Sequence, residues 1–334
     1  MTLNVALAMP EQTARAVFPP RSLDPLRPAL NLLARDPIQD FHSPEGQALL
    51  RDADILLTGW GCPMIDDHVL DHAPRLKYVL HAAGSVKHHI GEACWERGIQ
   101  VSSAADANAI PVAEYTVAMI VLANKRVLQI ARALHSTRTE VLPEQLFPDM
   151  GNYRKRVGII GASRIGRHVI RLLSAYQLDV VVSDPYLSAA EASALGVELV
   201  GLDELVASSD IVSLHAPSLP STRNLIDARL INLLRPQATF INTSRGELVD
   251  QDALLARVER GDLFAVLDVT TPWVLPSGSA FYTHPNVLLT PHVAGSLGSE
   301  LERMAASAVE EALRVYRGEP LRFPVRAEDL AFTA

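Results

Sequence analysis

The stretch RVGIIGASRIGRHVIRLLSAYQLDVVVSD, residues 156–184, constrains the fold more than any other part of the chain. Val157 to Ile160 is a short apolar strand, and Gly161 to Gly166 is a tight turn opening a helix. Asp179 to Ser183 is a second strand, closed by Asp184. A glycine-rich turn between a strand and a helix places free N–H groups and the positive end of the helix dipole where a pyrophosphate can sit. Gly161 permits the sharp turn and Gly166 lets the helix approach the strand. Ser163 stands where the middle glycine of G-x-G-x-x-G is usual, with Arg164 and Ile165 beginning the helix. Asp184 can accept both ribose hydroxyls of NAD and would repel the extra phosphate of NADP. Pro185 and Tyr186 follow it rather than an arginine. The expected cofactor is therefore NAD(H).

A chain of 334 residues with 48% hydrophobic and 20% charged residues is long enough for two domains with real cores. Its net charge of −8 and dispersed basic residues argue against nucleic acid as a partner. No uninterrupted apolar run reaches the ~18 residues of a membrane span, and MTLNVALAMP lacks a basic start. No membrane partner and a cytoplasmic location are expected. Cys62 and Cys94 are read as ordinary reduced residues.

Residues 1–107 alternate strand-like segments (4–9, 55–60, 77–83, 99–102) with helix-like ones (44–51, 66–72), as a small α/β domain does. Ile110 to Leu134 reads as one long helix buried between domains or subunits. Residues 136–155 read as an irregular connector. Strands are then expected at 157–160, 179–183, 211–214, 239–243, 264–267 and 287–290, the spacing of a parallel sheet wound on both faces. Residues 299–317 read as an amphipathic helix and 321–334 as irregular. Ligands of such sheets lie beyond the carboxyl ends of the strands. The residues there are Gly161, Asp184, His215, Ser244 with Arg245, Asp268 and His292, a polar set.

Five stretches carry a resemblance: AADANAIPVAEYTVAMI (104–120), HAPSLPSTRNLI (215–226), INTSRGELVDQDAL (241–254), LDV (267–269) and NVLLTPHVAGS (286–296). In order and approximate spacing they resemble the D-isomer-specific 2-hydroxyacid dehydrogenase family, over nearly the whole chain. The resemblance implies two Rossmann-like or flavodoxin-like α/β domains with doubly wound parallel sheets. Residues 1–106 plus 298–334 would form a split, mobile substrate domain, and 107–297 the NAD-binding domain. It implies a homodimer through the NAD-binding domains. The activity implied is hydride transfer between a nicotinamide and C2 of a small 2-oxo or 2-hydroxy acid.

Arg245 resembles the arginine that clamps the substrate carboxylate, a task suited to a planar, bidentate guanidinium. His292 resembles the general acid and base, since imidazole titrates near neutrality. The resemblance makes His215, Ala216, Pro217 and Thr222 the adenosine and phosphate wall. Thr243, Ser244, Arg245, Asp268, His292, Ala294 and Gly295 would lie towards the nicotinamide, with Asp268 accepting from its carboxamide. Asn108 and Glu114 match a hinge segment and read as mainly structural.

Two departures stand out. The glutamate that pairs with the histidine in the family lies five residues after the aspartate of LDV, where this chain has Trp273. Without that carboxylate, imidazolium is disfavoured. Trp273 reads as filling the space of the lost ion pair. The alternative is an NAD(H)-binding sensor or regulatory protein with little turnover. In the small domain Gly84, Ser85 and Val86 occupy the loop whose N–H groups bind the substrate carboxylate, but Val86 and His88 depart from G-x-G-x-D. His81, His88 and His89 lack a carboxylate or cysteine at ligand spacing, so no metal site is expected. A hydrolase using Ser244 or Ser296 with His292 fits poorly, because neither serine sits in a nucleophile elbow.

Overall fold

Short, near-continuous apolar runs build two largely parallel sheets buried on both faces. The computed structural model describes residues 2–331, and thirteen strands run through them. They are β1 (Asn4–Ala8), β2 (Asn31–Leu32), β3 (Ile55–Thr58), β4 (Tyr78–His81), β5 (Gln100–Ser103), β6 (Arg156–Ile160), β7 (Asp179–Ser183), β8 (Glu198–Leu199), β9 (Ile211–Leu214), β10 (Thr239–Asn242), β11 (Phe264–Leu267), β12 (Val287–Leu289) and β13 (Pro324–Val325). The chain divides into two compact units, Met1–Asn108 with Ser296–Ala334, and Ala109–Gly295.

The first unit holds a sheet in the order β13-β5-β4-β3-β1-β2, parallel except where β13 meets β5. Val5, Leu7, Ile55, Leu57 and Leu80 face one core, while Ala6, Ala8, Leu56 and Val79 face another. That period of two lets one short strand bury both faces. The helix Leu301–Tyr316 packs Ala305, Ala308, Val309 and Ala312 into the former core. Glu311 is buried on that helix and accepts from the N–H groups of Arg322 and Phe323, which leads the chain into β13. The segment 321–331, read as irregular, thus contains an edge strand and a 3₁₀ turn at Glu328–Ala331. Residues 332–334 lie outside the described residues.

The second unit holds a seven-stranded parallel sheet in the order β12-β11-β10-β9-β6-β7-β8. The strand order reverses between β6 and β9, so a crevice opens at their carboxyl ends, where such sheets bind ligands. Val212, Leu214, Phe240, Ala265 and Leu267 fill the core on one face, and Val157, Ile159, Ile211, Ile241 and Val266 fill that on the other.

The helix read as running unbroken from Ile110 to Leu134 is two helices, Ala105–Asn124 and Val127–Thr137. The Gly151 N–H donates to the Asn124 carbonyl at 2.8 Å and ends the first. Arg126 then turns the chain at φ 53°, its guanidinium 4.2 Å from the centre of the Phe264 ring. The first helix has the length and mean hydropathy, 1.2, of a membrane span, and 44% of that window is buried in the fold. Ala113, Val117 and Ile120 pack in the core with Val157 and Ile159. The second helix buries no residue. The connector after it also contains a short helix, Pro143–Leu146.

Candidate functional site

The nucleotide turn is shaped by contacts that only glycine allows. Gly161 has φ +95°, and a Cβ there would lie 2.7 Å from the Ala216 nitrogen. A Cβ on Gly166 would lie 2.1 Å from the Gly161 carbonyl oxygen. Ser163 is the N-cap of the helix Arg164–Leu173, its hydroxyl accepting from the Gly166 N–H at 3.3 Å. Its side chain is therefore folded back onto the helix rather than standing in the pyrophosphate's approach. The opening turn of the helix carries N–H groups with no carbonyl four residues earlier to meet. At the end of β7, Asp184 Oδ2 accepts from the Ala162 N–H at 2.7 Å and Oδ1 from the Tyr186 N–H at 2.8 Å. The carboxylate is thus locked to the glycine turn, and each oxygen keeps a lone pair for a ribose hydroxyl. These residues fit a dinucleotide: a tight turn, a helix N-terminus and a positioned acid.

Across the crevice, β9 ends in His215, whose side chain turns inward. Its Nε2 lies 2.9 Å from Ser213 Oγ, and burial pushes the imidazole down to about 3. Its backbone lies against Gly161 and its Cβ would lie 3.5 Å from a Cβ on Gly166, so His215 packs as a neutral residue beneath the turn. Ala216 is buried, and its carbonyl accepts from Ser244 Oγ at 2.6 Å. Thr222 Oγ1 donates to the Pro217 carbonyl at 2.7 Å, shaping the loop that follows.

In the first unit His81 is similar: buried, with Nδ1 2.8 Å from Thr58 Oγ1 and its titration also pushed by burial to about 3. Both histidines stay neutral in the folded protein while they titrate near 6.5 once unfolded. As pH falls below 6.5 the unfolded state alone takes up protons, so stability declines until about pH 3. The expected slope is about 1.4 kcal/mol per pH unit for each histidine. Denaturant unfolding between pH 7.5 and 4.5 should show this loss. A constant midpoint would contradict two neutral buried imidazoles.

Thr243, Ser244 and Arg245 follow β10. Thr243 Oγ1 is 3.1 Å from Thr116 Oγ1, and the Asn242 side chain braces the turn by accepting from the Ser244 N–H and donating to the Arg245 carbonyl. Arg245 is half-buried, and its Nη1 donates to the Ser244 carbonyl at 2.7 Å. No carboxylate among the described residues pairs with it, although Glu247 favours its charge from further away. Burial pulls its titration below the usual arginine range. A half-buried cation without an ion pair is a ready binding point for an anion.

His292 lies on the loop after β12, at φ 57°. Asp268 organises that loop: Oδ1 accepts from Thr290 Oγ1 (2.6 Å) and the Val293 N–H (2.8 Å), and Oδ2 from the Ala294 N–H (2.9 Å). Tyr115 OH lies 2.9 Å from Thr290 Oγ1 and extends the network. Asp268 thus holds the His292 loop through these three hydrogen bonds, and Oδ2, which accepts only one of them, keeps a lone pair that a carboxamide could use. Burial first, and Arg245 second, push the His292 imidazole below its ordinary range, with Asp268 opposing them. The Trp273 indole stacks on this imidazole, ring centroids 4.7 Å apart, and is 66% exposed. It does not fill a buried gap, contrary to its reading from the sequence. A cleft of about 340 Å³ opens beside the pair, lined by Arg132, Asp268, Trp273, Tyr282, Leu288 and His292.

In the first unit, Val86 of the Gly84–Ser85–Val86 loop points into the core, and its carbonyl accepts from the His89 and Ile90 N–H groups. Ser85 Oγ accepts from the Lys87 N–H at 3.4 Å, and Gly84 has room beside Asn108. Asn108 itself accepts from the Ser296 N–H at 2.9 Å. Among the described residues, no three or more His, Cys, Asp or Glu are arranged to hold a metal ion.

A doubly wound parallel sheet with a glycine turn at its switch point, an acid after the next strand and an arginine and histidine at later strand ends defines a dinucleotide-dependent class of protein. Residues 117–294 match the profile of the D-isomer specific 2-hydroxyacid dehydrogenase, NAD binding domain. The chain is 33% identical over 273 residues, 81% of its length, to D-3-phosphoglycerate dehydrogenase of Methanocaldococcus jannaschii. It is 33% identical over 275 residues, again 81% of its length, to the protein of that name from Mycobacterium tuberculosis. It spans about half the length of these curated relatives, 51% of each. A solved structure from Thermus thermophilus superposes with a TM-score of 0.76 at 29% identity, covering 97% of this chain and 100% of the other. The NAD-complexed D-isomer specific 2-hydroxyacid dehydrogenase of Lactobacillus delbrueckii ssp. bulgaricus superposes at 0.81 and 20% identity, over 97% and 100%, a likeness of fold alone. The chain belongs to the D-isomer specific 2-hydroxyacid dehydrogenase family, and it carries that family's NAD-binding domain. None of these likenesses supports a non-catalytic sensor.

Proposed function

We propose that the protein is an NAD(H)-dependent dehydrogenase that interconverts a small 2-oxo acid and its 2-hydroxy acid. The observation that carries this is the pairing of an uncompensated guanidinium, Arg245, with a titratable imidazole, His292, on strand ends of the nucleotide-binding unit. Arg245 binds the substrate carboxylate and turns the C2 carbonyl towards His292. In the other unit, the Gly84, Ser85 and Val86 loop keeps the role of offering backbone N–H groups to a substrate carboxylate that the resemblance gives it. When bound, the nicotinamide would supply or accept a hydride at C2. In reduction His292 gives its proton to the C2 oxygen; in oxidation it takes the hydroxyl proton. Asp268 holds the loop that carries the imidazole, and Asp184 orients the ribose. The Arg164 and Ile165 turn receives the pyrophosphate, with Ala216, Pro217 and Thr222 along the adenosine side and Thr243, Ala294 and Gly295 towards the nicotinamide. We also propose that two copies associate through the NAD-binding units, since the Val127–Thr137 helix leaves its apolar Val127 and Leu134 exposed.

Glyoxylate, hydroxypyruvate, pyruvate, bulkier 2-oxo acids and the 2-oxo acid of 3-phosphoglycerate, each offered with NADH, test the reading by loss of NADH absorbance. At least one should be reduced, NADH should serve better than NADPH, and Asp184→Ser should narrow that preference. No oxidation of NADH by any of them at high protein concentration would overturn it.

A further inference from the structure

Among the described residues, the His292 ring has no hydrogen-bonding partner on its buried side. Nδ1 is buried and unpaired, and the carboxylate acting on the ring, Asp268, already accepts three hydrogen bonds from Thr290, Val293 and Ala294. The backbone of His292 is fixed, its N–H donating to the Asp268 and Thr290 carbonyls. Those bonds hold the Cα but leave the ring plane to be set by packing. What packs on it is Trp273, with centroids 4.7 Å apart and planes inclined by 32°.

The backbone that carries the indole is anchored. Thr270 Oγ1 donates to the Pro272 and Trp273 carbonyls at 2.9 and 3.1 Å. The Gln251 side chain brackets Thr271, donating to its carbonyl and accepting from its N–H. A large aromatic side chain kept 66% exposed gains little from burial, so its place against the imidazole is not explained by the hydrophobic effect.

We propose that Trp273 is a positioning residue for His292: the indole face sets the plane of the imidazole and stabilises the imidazolium that forms when the ring takes the hydroxyl proton of a 2-hydroxy acid. The proposal rests on the dehydrogenase reading above. In that step the O–H bond breaks with its proton going to the imidazole, the C2–H bond breaks with hydride going to NAD⁺, and the C2=O double bond forms. An indole face carries negative electrostatic potential and attracts a cation lying within ~6 Å. It does so without a net charge, so it favours imidazolium less than a carboxylate would. The other groups facing the ring are Asp268, which favours the cation, and Arg245, which disfavours it. Arg132 lines the same cleft, and the Tyr115 hydroxyl reaches Asp268 through Thr290.

The full chain with Trp273→Phe, Trp273→Leu and Trp273→Glu tests this by two readouts. The first is the pH profile of kcat/KM for NADH-driven reduction of the best 2-oxo acid. The second is the NMR titration of the His292 ring protons, which needs no turnover. Phe should keep both within error of the native chain. Leu should move both midpoints about half a pH unit lower and reduce kcat with the KM for NADH unchanged. Glu should move both midpoints higher. A Leu variant that matches the native chain in ring-proton shifts, titration and kcat would overturn the proposal. Should the native chain reduce no 2-oxo acid, the dehydrogenase reading falls, while the ring titration still decides the role of Trp273: displaced in the Leu variant it supports the stack, unmoved it overturns it.

Discussion

His292→Asn should lower kcat for reduction of the 2-oxo acid by about 10²- to 10⁴-fold, the usual contribution of a positioned proton donor. Asparagine is the informative replacement because it tolerates the left-handed backbone at φ 57°, so the loop held by Asp268 should survive. NADH affinity should change less than kcat, since asparagine keeps a polar side chain beside the nicotinamide while removing the proton donor. The pH profile carries the sharper signal. Burial and Arg245 hold the native imidazole below its ordinary range, so the protonated fraction that drives reduction is small at neutral pH and grows as pH falls. Oxidation needs the neutral ring and should improve as pH rises through the same midpoint. Both limbs should vanish in His292→Asn. Steady-state kinetics in both directions over pH 5–9 measures this, with circular dichroism confirming the fold.

Arg245→Gln should cost about as much, through binding instead of proton transfer. Two charge-assisted hydrogen bonds to a carboxylate are worth ~1.5–3 kcal/mol each. Their loss corresponds to a fall in kcat/KM of about 10²- to 10⁴-fold. KM for the 2-oxo acid should rise while KM for NADH holds. Arg245→Lys should recover only part of the loss, because an ammonium cannot present the bidentate fork. Removing the guanidinium also takes away a charge that disfavours imidazolium, so the His292 limb should move to higher pH in Arg245→Gln. That shift separates the two roles: a purely structural defect would lower the rate without moving the limb.

The features legible from residues alone are those written locally. The strands β6, β7, β9 and β11 are short apolar runs, and Gly161 and Asp184 mark the ends of two of them. The strand-end set is readable because a parallel sheet places successive carboxyl ends along one edge. What escapes is set by distant partners. β2, β8 and β13 have two residues each, too few to show a period, and exist because a neighbouring strand accepts them. Glu311 looks like one more acid on an amphipathic helix, yet it is buried beneath the N–H groups of Arg322 and Phe323. The break after Asn124 depends on a hydrogen bond from Gly151. Asp268 can be placed at its strand end from sequence, but the three donors that occupy it come from residues 290–294. The missing carboxylate partner of His292 is visible in Trp273; the stacking of the two rings is not, since spacing says nothing of ring planes.

The most direct test of hydride transfer at this site uses NADH deuterated at C4 of the nicotinamide on the transferring face, with the 2-oxo acid that the protein reduces best. Mass spectrometry and proton NMR of the product should find one deuterium at C2 of a D-configured 2-hydroxy acid. A product that carries protium at C2 while NADH is consumed would contradict the account, because the hydride would then have gone elsewhere.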